Sequence, residues 1–104
     1  MSEEEINIAI AEYRGWQILE PEVHRAFTYH WAIEPNGSKS ILPDCCNDLN
    51  AMREVEITLS NEIYEEYWNQ LIFVCMNEGE ERMNSASAKL RAKAFVITIG
   101  KWKE

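Results

Sequence analysis

The sequence predicts an α+β domain in which about four helices pack on a small, largely antiparallel β-sheet. Three observations lead there. Apolar residues recur at helical intervals in four separated stretches. Residues 22 to 33 alternate large side chains with polar or small ones, as a strand does. Glu-Pro-Asn-Gly-Ser at 34 to 38 carries turn chemistry suited to a hairpin. The chain has 104 residues, 46% of them apolar. A chain of that size buries roughly two-thirds of its unfolded surface, enough for one core and one domain over residues 1 to 104.

Taken in order, Ser2 and Glu5 have capping-box spacing. Ile6, Ala9, Ile10 and Tyr13 follow at helical intervals, so residues 3 to 13 read as a short amphipathic helix ended by Gly15. Residues 16 to 19 suit a strand that Pro21 stops. From 22 to 33, Val23, Arg25, Phe27, Tyr29, Trp31 and Ile33 alternate with Glu22, His24, Ala26, Thr28, His30 and Ala32, which predicts one strand with an aromatic inner face. Pro35 presets a turn and Asn36-Gly37 tolerate positive φ, predicting a hairpin to a strand at 39 to 42. Leu49, Met52, Val55 and Leu59 mark one side of a helix over 45 to 59. Ser60 then caps a helix over 61 to 76, with Ile63, Tyr64, Tyr67, Trp68, Leu71, Ile72 and Cys75 inward. After the polar loop NEGEE, Ser85 caps a last helix through Ala86, Leu90, Ala94 and Ile97, stopped by Gly100. Phe95, Ile97 and Ile99 also alternate like a strand, but the Ala, Lys and Arg content of 86 to 94 favours helix.

The segment PDCCNDLNAM, residues 43 to 52, sets two cysteines side by side. Structural zinc wants a spacing such as Cys-x-x-Cys, so that two sulfurs reach one tetrahedral ion. Adjacent helical side chains diverge by about 100°, and a thioredoxin-like site needs the same two-residue gap. A helix start fits better. Pro43 bars the residue before it from helix, Asp44 is the expected N-cap, and Asn47 and Asp48 lie in or near the first turn. Three cysteines make no disulfide framework, so free thiols in a reducing cytosol are expected. His24 and His30, on one predicted strand, lie about 20 Å apart at strand rise, too far to share a metal. No Gly-rich phosphate loop, Gly-x-Ser-x-Gly or His-Glu-x-x-His occurs, and nothing singles out a carboxylate pair for acid–base work. A non-enzymatic protein without metal or cofactor is expected.

Charge is unevenly spread. Residues 82 to 104 balance to +5, and residues 1 to 81 hold −13 of the net −8. An acidic body repels phosphates, which argues against direct nucleic-acid binding, and it attracts basic protein surfaces. The basic tail reads as a helix end facing neighbouring acids. The first residues lack the basic n-region of a signal peptide, and no apolar run approaches the roughly 20 residues of a membrane span. A cytoplasmic protein without membrane contact is expected. Glu62, Glu65, Glu66 and Asn69 fall on one face of the third helix, with Glu54, Glu56, Glu78, Glu80 and Glu81 nearby and no base from 54 to 81. One reading is a solvated face partly neutralised by Lys89 or Lys93. The other is a docking face for a basic partner, made of Glu62, Glu65, Glu66, Glu78, Glu80 and Glu81.

PDCCNDLNAM resembles the P-D-Y-C-N-D-L-N-A-M segment of the phage ABA-sandwich family of small phage and prophage proteins. SASAKLRAKAFVITIGKWKE resembles that family's C-terminal signature, and GWQI its early Gly-Trp pair; residues 20 to 40 depart from the pattern. The resemblance implies an α+β sandwich of mobile-element origin. It implies structural roles for Asp44, Asn47, Asp48, Asn50, Arg91, Phe95, Gly100 and Trp102. Some small acidic proteins of this type resemble anti-CRISPR inhibitors of type II RNA-guided nucleases, whose nucleic-acid channel is positively charged. The resemblance thus implies an inhibitor that docks on the basic surface of a host defence protein in the bacterial cytoplasm. Two other functions are open: a sponge for a defence-signalling nucleotide, oligomeric, with Arg91, Lys93 and Trp102 in its pocket, or a phage structural or regulatory accessory protein.

Overall fold

The computed structural model describes residues 1–79 and 86–103. In chain order these form α1 (Glu3–Tyr13), β1 (Gln17–Ile18), β2 (Glu22–His24), β3 (Phe27–Tyr29), β4 (Trp31–Ile33), β5 (Lys39–Ile41), α2 (Leu49–Ile57), α3 (Asn61–Asn77) and α4 (Ala88–Thr98). The class is α+β, as expected: four helices beside short antiparallel strands in two sheets, ordered β1-β4-β5 and β2-β3.

The expected caps hold α1. Ser2 Oγ accepts from the Glu5 N–H at 3.1 Å, and the Glu5 carboxylate accepts from the Ser2 N–H at 3.0 Å. The Ser2 N–H on the carboxylate, helped by the Ser2 side chain beside it, holds the Glu5 carboxyl below its ordinary pKa. Gly15 ends the helix at φ +85. The β4–β5 hairpin closes through the Asn36-Gly37 turn, where Gly37 takes φ +90 and its N–H reaches Glu34 O at 2.8 Å. The β-branched run near the C-terminus is helical through Thr98, and Gly100 at φ +74 follows it.

Three expectations are corrected. Residues 22 to 33 are not one strand. Arg25 takes φ +57, and β2 folds back on β3 through a two-residue turn, pairing His24 with Phe27 and Glu22 with Tyr29. The expected inner face points out: Val23 is 69% exposed and Phe27 67%. Alternation records an extended backbone, and it continues through a tight hairpin whether or not either face is buried. The second helix does not start after Asp44. Residues 45 to 47 form a turn closed by the Asp48 N–H on Asp44 O at 2.8 Å. Asp48 is the N-cap of α2, accepting from the N–H groups of Asn50 and Ala51. An Asp stands at both positions, and the second lies directly before the apolar periodicity. The last helix is capped by Ser87, whose Oγ accepts from Leu90 N–H at 3.2 Å; Ser85 lies outside the described residues.

The main core is helical. Ile6 and Ile10 of α1, Met52 and Val55 of α2, Tyr67, Leu71, Val74 and Cys75 of α3, and Ala92, Phe95 and Val96 of α4 meet there with Cys45 and Cys46. The three-stranded sheet sits on the other side of α1 through a smaller cluster of Ala11, Ala32 and Leu42. A salt link crosses the helical core. Arg91 Nη1 lies 3.1 and 2.8 Å from the Glu56 carboxylate oxygens, Tyr67 Oη donates to Glu56 Oε2 at 2.7 Å, and Arg91 Nε donates to Ala86 O at 3.1 Å. All three side chains are buried, so one carboxylate ties α2, α3 and α4 together. Burial and the bond to Glu56 push the Tyr67 hydroxyl far above its ordinary pKa.

Candidate functional site

The candidate site is the outer face of α3. Ser60 caps the helix by accepting from Ile63 N–H, and Tyr67, Leu71, Val74 and Cys75 anchor its inner face in the core. The opposite face is thereby turned to solvent. Glu62, Glu65, Glu66 and Asn69 are all exposed on it, and no ion pair among the described residues engages the three carboxylates. The same face continues with Ile72, Phe73 and Met76, exposed at 36, 64 and 72%. Ile72 was expected to point inward; it sits at the edge of the helix's buried arc, and Leu71, Val74 and Cys75 take the core positions.

Other members of the expected acidic set separate. Glu78 is bridged to Lys93 at 3.1 Å, so its charge is matched. Glu56 is buried against Arg91 and adds nothing to the surface field. Glu80 and Glu81 lie outside the described residues. The basic tail does not cap the α4 dipole, because the last turn of α4 holds no base. Two of its bases face neighbouring acids, Arg91 on Glu56 and Lys93 on Glu78.

The motif residues make contacts inside the fold. Asp44 accepts from Asn7 Nδ2 at 3.1 Å and from Asn47 Nδ2 at 3.1 and 3.2 Å. Asn47 Nδ2 also reaches Glu3 at 2.7 Å, and Asn7 Oδ1 accepts from the Cys46 N–H at 3.3 Å. The turn is thus stitched to α1 by side chains rather than by a helix cap. Asn50 is exposed, and its backbone N–H bonds to Asp48. Phe95 is fully buried between the ring edges of Tyr13 and Tyr67. Cys45, Cys46 and Cys75 are free and buried; burial pushes Cys45 up to about 11 and Cys46 up to about 12. Thiols held protonated are poor nucleophiles and poor metal ligands. Among the described residues, no group of three or more His, Cys, Asp or Glu could hold a metal ion. His24 lies in β2 beside Glu22, and His30 follows β3 beside Glu4, so they share no strand face.

Of the three residues proposed for a nucleotide pocket, the structure joins only two. Lys93 Nζ lies 5.1 Å from the centre of the Trp102 ring, while Arg91 is turned into the core. Two open grooves run between α3 and α4. One, of about 490 Å³, is lined by Phe73, Val74, Ile97, Lys93 and Trp102. The other, of about 270 Å³, is lined by Tyr13, Glu62, Ile63, Glu66 and Ile99. No helix among the described residues is long and apolar enough to cross a membrane. Set against known proteins, the chain matches no family model, no curated protein and no solved structure. The resemblance to the phage family stands on its motif residues alone.

Proposed function

We propose that the protein is a non-enzymatic binding module whose α3 carboxylates dock on a basic surface of a host defence protein, most simply a type II RNA-guided nuclease. The observation that carries the binding reading is the exposed, uncompensated trio Glu62, Glu65 and Glu66 on a helix whose other face is locked in the core. Like charges at helical spacing repel by a few tenths of a kcal/mol, and an approaching cationic surface relieves that repulsion. The resemblance of two sequence motifs to phage proteins supplies the nuclease as partner; its positively charged channel suits an acidic ligand. The nucleotide-sponge alternative loses Arg91, which is committed to Glu56.

The test is a cleavage assay with a type II nuclease, its guide and a target duplex, run with wild type and with Glu62→Gln/Glu65→Gln/Glu66→Gln. The variant keeps size and helix propensity and removes three charges. Wild type is expected to inhibit and the variant to inhibit markedly less. Full inhibition by the variant would remove this face from the mechanism. No inhibition by wild type across several such nucleases would remove the nuclease as partner.

A further inference from the structure

The exposed face of α3 has two chemically different ends. Residues 62, 66, 69, 73 and 76 follow the alternating spacings of four and three that make the seam of a helix pair. The first part of the seam is acidic, at Glu62 and Glu66; the last part is apolar, at Phe73 and Met76. The two ends lie about 15 Å apart at helical rise. Each adjoins its own groove against α4: Tyr13 and Ile99 beside the acidic end, Ile97 and Trp102 beside the apolar end. Lys93 adds little positive charge at the apolar end, because Glu78 pairs with it.

We infer that this seam takes a basic amphipathic helix from another protein, with Lys or Arg over Glu62, Glu65 and Glu66 and an aromatic or aliphatic anchor beside Phe73 and Met76. The inference rests on the protein-binding reading above and adds the chemistry of the partner. Charge selects the occupant. In a second copy laid antiparallel and centred on Asn69, Glu66 meets Phe73 and Glu62 meets Met76. In a parallel copy the carboxylates face their own kind. Both arrangements desolvate carboxylates without a counter-charge, and the net charge of −8 adds repulsion. Nucleic acid and anionic lipid are repelled by the acidic end and leave the apolar end uncovered. A basic amphipathic helix matches both ends at once, in the helix-in-groove mode.

The test uses labelled synthetic helical peptides and fluorescence anisotropy on the whole protein. One peptide carries Lys at one end of a face and Leu and Phe at the other; a second is oligolysine of equal charge; a third is the first with Glu for Lys. The variants are the triple Gln protein and Phe73→Ser/Met76→Ser, each checked by circular dichroism for intact helix content. Wild type should prefer the first peptide over both others by roughly tenfold, and each variant should lose that preference. Such binding supports the inference whatever the nuclease assay returns. Equal affinity for oligolysine, or binding unchanged in Phe73→Ser/Met76→Ser, overturns it, even where nuclease inhibition by the acidic face is intact. Sedimentation that reports a dimer abolished by Phe73→Ser/Met76→Ser also overturns it, because a second copy then covers the apolar end.

Discussion

Among the described residues, Arg91 and Glu56 are the two charges that the fold takes out of water. Removing one partner strands the other. Arg91→Ala is expected to lose about 3 to 5 kcal/mol, as breaking buried ion pairs does. Tyr67→Phe leaves Arg91 on the same carboxylate and should lose less, about 1.5 to 3 kcal/mol, as a hydrogen bond to a charged group does. Urea titration of both variants measures the difference; equal losses would mean that the pair is not desolvated. The cysteines give a pH prediction at the same scale. Cys45 and Cys46 have folded pKa values raised from 9.0 to about 11 and about 12. Above pH 9 the unfolded chain releases those thiol protons and the folded chain holds them, so stability falls as pH rises through that window. Melting curves from pH 8 to 11 should decline more steeply for wild type than for Cys45→Ala/Cys46→Ala. Parallel declines would place the loss on other groups.

Among the elements, the junction from β5 to α2 carries the clearest test. Asp48 is the cap, with its carboxylate on the N–H groups of Asn50 and Ala51. Asp48→Ala should lose about 1 kcal/mol, a fall of about 4 to 8 °C in melting temperature for a domain of this size. Asp44→Ala removes bonds to Asn7 and Asn47 instead. It should loosen the turn against α1, with faster amide exchange at Cys46, whose N–H is held by Asn7. Unchanged exchange there would mean that Asn7 is positioned without Asp44. The helices α1 and α3 were legible because eleven or more residues hold one period in each, and α4 because the Ala, Lys and Arg content of its first half favours helix. The 22 to 33 segment was misread because a two-residue turn leaves local alternation intact while reversing the chain. The cross-strand register, with His24 opposite Phe27, and the positive φ of Arg25 distinguish the two arrangements.

Over the whole molecule, the −13 of residues 1 to 81 is not one field. Arg91 and Lys93 reach back to quench Glu56 and Glu78, and α1 with the first half of α3 keeps its carboxylates in solvent. Association with a basic partner should therefore slow as salt rises. Screening shortens the Debye length from about 10 Å at 0.1 M to about 3 Å at 1 M. Stopped-flow association of the basic amphipathic peptide should lose most of its rate advantage over that range, with a smaller change in dissociation. A salt-independent association rate would assign the binding to the apolar end alone.

The sequence by itself determined the class of the fold, the Ser2 and Ser60 caps, the Asn36-Gly37 hairpin, and the solvent exposure of Glu62, Glu65 and Glu66. Each follows from local backbone preference or from a period held over several turns, and neither needs distant residues. Tertiary structure alone decided which charges survive at the surface. Arg91 meets Glu56 across 35 positions and Lys93 meets Glu78 across 15, and no local rule pairs residues at those separations. It also decided that Asp48 and not Asp44 begins α2, because Asn7 and Asn47 engage the Asp44 carboxylate. The apolar end of the α3 seam became visible for the same reason. Phe73 and Met76 stand outside the inward set that the helical period names, and with Leu71, Val74 and Cys75 taking the core positions they are left exposed.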